Sequence, residues 1–159
     1  MDVQKDIFVP MRDGVHMAVD IYRPAGPGRH PAVLMRTPYI KGGSTFSLLD
    51  AEGLPRANVV APVAGAATVA DLRLAAVEPF VQAGYAVVVS DTRGTGHSEG
   101  VYDYYNLEGG PFDGFDTVEW MASEPWCDGN VGMVGASAGA ILCYSAAVTQ
   151  PPHLKAMVA

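Results

Sequence analysis

Positive charge is scarce in this chain: 10 Lys and Arg stand against 17 Asp and Glu, a formal net charge of −7 over 159 residues. A surface of that sign repels phosphate backbones and anionic lipid, so neither nucleic acid nor membrane is an expected partner. No apolar run approaches the length that spans a bilayer, and the N-terminus, Met1-Asp2-Val3-Gln4-Lys5-Asp6, lacks the apolar stretch of a secretory signal. A soluble cytoplasmic protein is the expectation. Cysteine is also rare, with only Cys127 and Cys143, and their spacing matches no CxxC or Cys/His ligand pattern. That implies no metal site, so both are read as ordinary buried or half-buried thiols. Internal repeats, charge runs and low-complexity tracts are missing as well, which excludes repeat architectures.

What is present is apolar: 49% of the residues are hydrophobic, enough to bury one substantial core, so residues 1–159 are read as one domain or part of one. Arg12-Asp13-Gly14 is a turn signal between Asp6–Pro10 and an alternating run in which Met17, Val19 and Ile21 share a face, which predicts an antiparallel edge hairpin. Ala32-Val33-Leu34-Met35 is a continuous apolar run, the pattern of a strand covered on both sides. Similar runs recur at Tyr85–Val89, Val131–Val134 and Lys155–Val158, each preceded by a helix-like stretch, and this alternation predicts a parallel sheet.

The first of those helices places Val69, Leu72, Ala76 and Phe80 at three- and four-residue steps before Gly84, with a kink expected at Pro79. A second begins near Asp113, an N-cap candidate, with Phe115, Val118, Met121 and Ala122 on one face and Trp120 near its edge. The third runs from about Ser137 to Thr149, and its Ala, Gly and Ser suit close contact with a sheet. Gly42–Gly65 is too long for a structureless loop, and a short helix around Phe46–Glu52 is the expectation there.

The chemistry resides in Gly135-Ala136-Ser137-Ala138-Gly139, a G-x-S-x-G between the apolar run Val131–Val134 and the third helix. The bare pattern arises easily by chance among 18 glycines; a strand before it and a helix after it make it a nucleophile elbow. A sharp strand-to-helix turn strains the serine backbone and requires small residues two positions away on each side, which Gly135 and Gly139 supply. The turn lifts the hydroxyl above the carboxyl edge of the sheet. The helix behind it aims free N–H groups at the same point, so the Ala138 amide can donate to a developing oxyanion. Dinucleotide binding is disfavoured, because the spacing is not GxGxxG and no acidic residue follows within about 20 positions.

Further motifs stand in order along the chain: Val9-Pro10-Met11-Arg12-Asp13-Gly14 with Asp20-Ile21-Tyr22-Arg23-Pro24, then Arg36-Thr37-Pro38-Tyr39. After them come Gly84-Tyr85-Ala86-Val87-Val88, Asp91-Thr92-Arg93-Gly94, Ser98-Glu99-Gly100 and Trp126-Cys127-Asp128-Gly129-Asn130-Val131-Gly132-Met133. Through these the chain resembles, over nearly its whole length, the CocE/NonD serine hydrolases, which include esterases, amino-acid ester hydrolases and X-prolyl dipeptidyl-peptidases. The resemblance implies that Ser137 is the nucleophile and that the Tyr39 hydroxyl joins the Ala138 amide in the oxyanion hole. By position alone, a strand-end tyrosine could equally pack, although the carboxyl edge of such sheets is where ligands bind. Where the family usually has an aromatic residue after the nucleophile this chain has Ala138, which keeps the amide donor and alters the pocket. Asp91 and Arg93 fall in a turn where salt bridging or capping is expected.

In this fold the triad acid and histidine follow the serine in the chain, yet residues 138–159 hold no Asp or Glu. His153 falls at the far end of the third helix from the hydroxyl, His97 is read as a solvated loop residue without a carboxylate partner, and His16 and His30 as strand-face and loop residues. The expectation is a three-layer α/β-hydrolase fold with a mostly parallel sheet, truncated after about its sixth strand, whose cap and C-terminal jelly-roll domain lie beyond these residues. The complete enzyme would cleave an acyl bond through an acyl-serine intermediate, on a small carboxylic ester first and an N-terminal X-Pro peptide second, without cofactor or metal. The fragment alone would be nearly inert. A non-catalytic α/β module and an acyltransferase using the same serine are the alternatives.

Overall fold

The computed structural model describes residues 1–41, 46–49, 55–59, 69–103 and 109–159. β1 (Asp2–Pro10) and β2 (His16–Arg23) form the expected antiparallel hairpin, with Pro10 opposite His16. After β3 (His30–Thr37) comes a small two-stranded ribbon, β4 (Phe46–Leu49) with β5 (Pro55–Val59). That ribbon replaces the helix expected around Phe46–Glu52, of which 50–52 lie outside the described residues. A short apolar run is ambiguous between helix and strand, and here the pairing segment nine residues on decides it, Phe46 facing Val59 and Ser47 facing Asn58.

The remaining elements alternate: α1 (Val69–Gln82), β6 (Ala86–Asp91), α2 (Asp113–Ser123), β7 (Cys127–Val134), α3 (Ala138–Val148) and β8 (Leu154–Val158). The main sheet has the order β1-β2-β6-β3-β7-β8, parallel from β6 to β8. β2 pairs antiparallel with β6, so the hairpin lies at the edge of the sheet as expected, with β1 outermost. His30, expected in a loop, opens β3.

Strand periodicity sorts the core into two sides. Leu34, Val88, Val131 and Met133 pack with Val118, Met121, Cys143 and Ala146 of α2 and α3, while Val33, Val87 and Val89 pack with Val77 and Val81 of α1. Helices therefore cover both sides of a central sheet, a three-layer α/β fold. All six residues of β6 are buried, and its first four, Ala86–Val89, form a continuous apolar run instead of an alternation. In the part of α1 whose side chains are described, Val77 and Val81 face inward with Phe80 packed beside them, while Ala76 is exposed; the side chains of Val69 and Leu72 lie outside the described residues. α1 continues through Pro79 to Gln82.

α2 starts differently from expectation. Its cap position is Phe112, with no side-chain cap bond, and Asp113 is the first helical residue. The Asp113 carboxylate is occupied elsewhere: it accepts from Gly110 N–H at 2.9 Å and from Arg93 Nε and Nη2 at 2.9 and 2.6 Å. Arg93 Nη2 also lies 2.9 Å from Asp13 on the hairpin turn, so one guanidinium ties the β6 exit, the hairpin and α2 together. Arg12 strengthens the same junction through a forked bond to Asp116 and a place over the Phe112 ring, 3.9 Å from its centroid. Salt bridging was the expected duty of Arg93. Among the described residues no helix is long and apolar enough to cross a membrane.

Leu34 is fully buried at the centre of the sheet, against the larger of the two clusters. Leu34→Ala in the intact protein is expected to cost about 2–5 kcal/mol, read as a lower denaturant midpoint with an unchanged slope. An unchanged midpoint would contradict this description of the core.

Candidate active site

β7 runs to Val134, and Gly135 N–H still donates to Val158 O at 3.0 Å, so the sheet ladder holds the chain to within two residues of Ser137. The chain then reverses into α3. Ser137 sits at φ 55° and ψ −121°, a region that L-residues rarely occupy and that costs about 1–3 kcal/mol. Its carbonyl accepts from Ala140 and Ile141 at 3.0 and 3.2 Å, starting the helix, while its side chain makes no capping bond and the residue is exposed. Gly139 N–H donates to Ala136 O at 2.9 Å. Among the described residues no acceptor takes the N–H of Ala138, the first helical residue, whose side chain is buried.

The two flanking glycines are not equivalent. A Cβ on Gly135 would lie 2.3 Å from both the carbonyl carbon and oxygen of Gly139 and 2.9 Å from Ala140 N, so the first turn of α3 rests directly on the Gly135 backbone. A Cβ on Gly139, beyond its own helix turn, would meet Arg36 O at 3.6 Å, an ordinary contact. That last contact identifies the neighbour: β3 and β7 are adjacent and parallel, Leu34 opposite Met133, so their carboxyl ends emerge side by side. Tyr39 follows the end of β3. It is half-buried, and its N–H donates to Thr37 Oγ1 at 3.0 Å. Ser137, Ala138, Gly135 and Gly139 thus share one turn, and Tyr39 leaves the adjacent strand at the same edge.

Beside Tyr39 is a charged cluster that the sequence did not disclose. Ile40 lies at φ 62°, a strained position for a β-branched residue, and the Lys41 side chain that follows is buried, with 4% exposure. The Lys41 ammonium pairs with Asp6, lies 3.2 Å from Asp20 Oδ1 and 3.8 Å from Asp91 Oδ2, and the Lys41 main-chain N–H donates to Asp91 Oδ1. Burial pushes the ammonium pKa down, but the bond to Asp6 and the charges of Asp20 and Asp91 outweigh it and hold it above the ordinary lysine value. Asp6 occupies a bulge of β1 at φ 52°, and its carboxyl is held below the usual range by Lys41 and then by His97. Asp91 is buried against Gly96, where a Cβ would lie 2.1 Å from Oδ2. The one local signal was Asp20, a carboxylate inside the buried run Ala18–Ile21.

The histidines divide. His97 is exposed, as expected, but does have a carboxylate partner, Asp6 Oδ1 at 2.9 Å from its Nδ1; Asp6 is 91 positions away and no local pattern announces it. His153 donates its main-chain N–H to Glu119 and sets Nδ1 2.7 Å from that carboxylate. Its carbonyl accepts from Val131 N–H in the middle of β7, and His153 follows the C-terminal end of α3, the opposite end of that helix from Ser137. His16 pairs with Glu99 at 2.9 Å, and His30 Nδ1 lies 3.1 Å from Gly84 O. Cys127 and Cys143 are free and buried, and burial pushes both thiols up.

The family profile described as X-Pro dipeptidyl-peptidase (S15 family) matches residues 13–159. A cocaine esterase of Rhodococcus sp. (strain MB1 Bresler) is 37% identical over 159 residues, covering 98% of this chain and 23% of the relative. Among solved structures, an α-amino acid ester hydrolase superposes with a TM-score of 0.70 at 30% identity, covering 98% of this chain and 24% of its own. A CocE/NonD family hydrolase from Staphylococcus aureus gives 0.66 at 26% identity, covering 98% and 26%. The chain therefore spans about a quarter of the length of these relatives.

Two predictions follow from the geometry. Gly135→Ala is expected to lower the stability of the intact protein by about 1–3 kcal/mol or more, whereas Gly139→Ala changes it little; thermal unfolding compares them, and equal losses would contradict the asymmetric contact. The second concerns acid. Asp6 has a folded pKa below its unfolded value, so its contribution is present above the ordinary carboxylate pKa of about 3.9 and is lost as pH falls through the lower folded value. The melting-temperature deficit of Asp6→Asn should therefore be full at neutral pH and close below about pH 4; a deficit that stays constant down to acid pH would contradict the pairing.

Proposed function

The chain belongs to the X-Pro dipeptidyl-peptidase (S15) family of CocE/NonD hydrolases, and we propose that the protein carrying it hydrolyses an acyl bond through a covalent acyl-serine intermediate on Ser137. One observation carries the reading: an exposed serine at positive φ on a strand-to-helix turn, its side chain free of the capping bond that a serine at a helix N-terminus ordinarily makes. A hydroxyl held that way stands above the sheet edge, next to the unused Ala138 N–H.

In the proposed reaction the Ser137 oxygen attacks the carbonyl carbon and its proton passes to a histidine base. The carbonyl electrons collect on oxygen, where the Ala138 N–H and the Tyr39 hydroxyl donate to it. Collapse expels the alcohol, which takes the proton back, and water then repeats the sequence to release the acid. The base and its orienting acid come from sequence outside residues 1–159, so these residues, the N-terminal part of one catalytic domain, are inert alone: an unactivated serine is a weak nucleophile. No described histidine replaces the base, since His153 follows the far end of α3 from Ser137 and His97 is paired with Asp6.

A small carboxylic ester is the proposed substrate, supported by the ester-cleaving names of two of the relatives. An N-terminal X-Pro peptide is the second candidate and requires, in addition, an acid that binds the substrate ammonium. The test uses the intact protein. It should hydrolyse an activated aryl ester and take up a fluorophosphonate, with both lost in Ser137→Ala; labelling that survives the substitution refutes the assignment. Tyr39→Phe should lower kcat by about 100- to 1,000-fold while leaving labelling possible.

A further inference from the structure

The oxyanion role proposed for Tyr39 requires its hydroxyl to be held to within a fraction of an ångström of one position, yet Tyr39 is outside the sheet, on the segment that leaves β3. Two features pin that segment. On the near side, Tyr39 N–H donates to Thr37 Oγ1 at 3.0 Å. On the far side, the next residue but one is Lys41, whose main-chain N–H and ammonium are both engaged. Its three carboxylates come from three different strands, Asp6 of β1, Asp20 of β2 and Asp91 of β6, which lie consecutively in the sheet next to β3.

The cluster is otherwise hard to account for. A buried lysine among carboxylates gains little net stability over apolar packing of the same volume, because desolvation offsets the attraction. A second cation, Lys5, lies 2.7 Å from Asp20 Oδ2, so Lys41 is not the sole counter-charge of Asp20. Between Tyr39 and Lys41, Ile40 is held at φ 62°, a conformation that survives only where the surroundings fix both ends of the segment. The Asp91 carboxylate that receives the Lys41 N–H is itself held close, packed against Gly96 and accepting from His97 N–H at 3.4 Å.

We infer that Lys41 is a positioning residue of the oxyanion hole: by locking the far end of the Tyr39 segment into the Asp6–Asp20–Asp91 cluster, it fixes where the Tyr39 hydroxyl stands. It acts through Tyr39 and touches no substrate. This inference rests on the reading of Tyr39 as an oxyanion donor, and its test separates the two.

The test is a double-substitution cycle in the intact protein, with kcat on an activated ester expressed per site titrated by fluorophosphonate, so that unfolded material is not counted. Lys41→Met should lower kcat roughly 10-fold or more and leave KM within about twofold. In a Tyr39→Phe background the same substitution should change kcat by less than about twofold, because the group it positions is already gone. Equal fold-losses in both backgrounds, or an unchanged kcat in Lys41→Met, overturn the inference while leaving Tyr39 in place. An unchanged kcat in Tyr39→Phe overturns the reading of Tyr39 itself. Where Lys41→Met alone does not fold, Lys41→Met with Asp6→Asn removes one charge of each sign and is held to the same pattern.

Discussion

The first turn of α3 rests on the bare backbone of Gly135, so closely that a single added carbon would lie 2.3 Å from Gly139. Everything distinctive about the site is a consequence of that approach. It lets the chain reverse within three residues of the end of β7, it forces Ser137 to φ 55°, and it leaves the serine exposed while Ala138 is buried and its N–H unused. Strain of about 1–3 kcal/mol at one residue persists because both sides of the turn are fixed. On one side is the ladder through Gly135 to Val158, and on the other a helix whose Cys143 and Ala146 lie in the core.

The sheet order matters as much as the turn. β3 lies between β6 and β7, so whatever leaves its carboxyl end has the elbow on one side and the β6–β2–β1 strands on the other. Tyr39 leaves β3 at this edge, and Lys41 is tied to the second neighbour. The N-terminal hairpin, which contributes no candidate catalytic residue, thereby supplies two of the three carboxylates that hold Lys41. Arg93 and Arg12 in turn fasten that hairpin to α2 through Asp13, Asp113 and Asp116.

The elements built on local periodicity were legible in the sequence. The four parallel strands, the hairpin and all three helices follow from apolar spacing and turn residues, and Gly135 to Gly139 could be placed on a strand-to-helix turn because the flanking runs were unambiguous. What could not be read depended on partners distant in the chain. Phe46–Leu49 is a strand because Pro55–Val59 pairs with it, and Asp113 is an ion-pair partner instead of a cap because Arg93 lies 20 positions before it. The Lys41 cluster draws on positions 6, 20, 41, 91 and 97, whose proximity exists only once the sheet has formed. The asymmetry between Gly135 and Gly139 is likewise a matter of which backbone touches which, and two glycines look alike in a sequence.

That the strained turn displays a working nucleophile is most directly tested by catching the intermediate. The intact protein, quenched in acid during turnover of an activated ester and mapped by peptide mass spectrometry, should bear the acyl group on Ser137. An acyl group on any other residue, or none under conditions where a burst of leaving group is seen, would contradict the account.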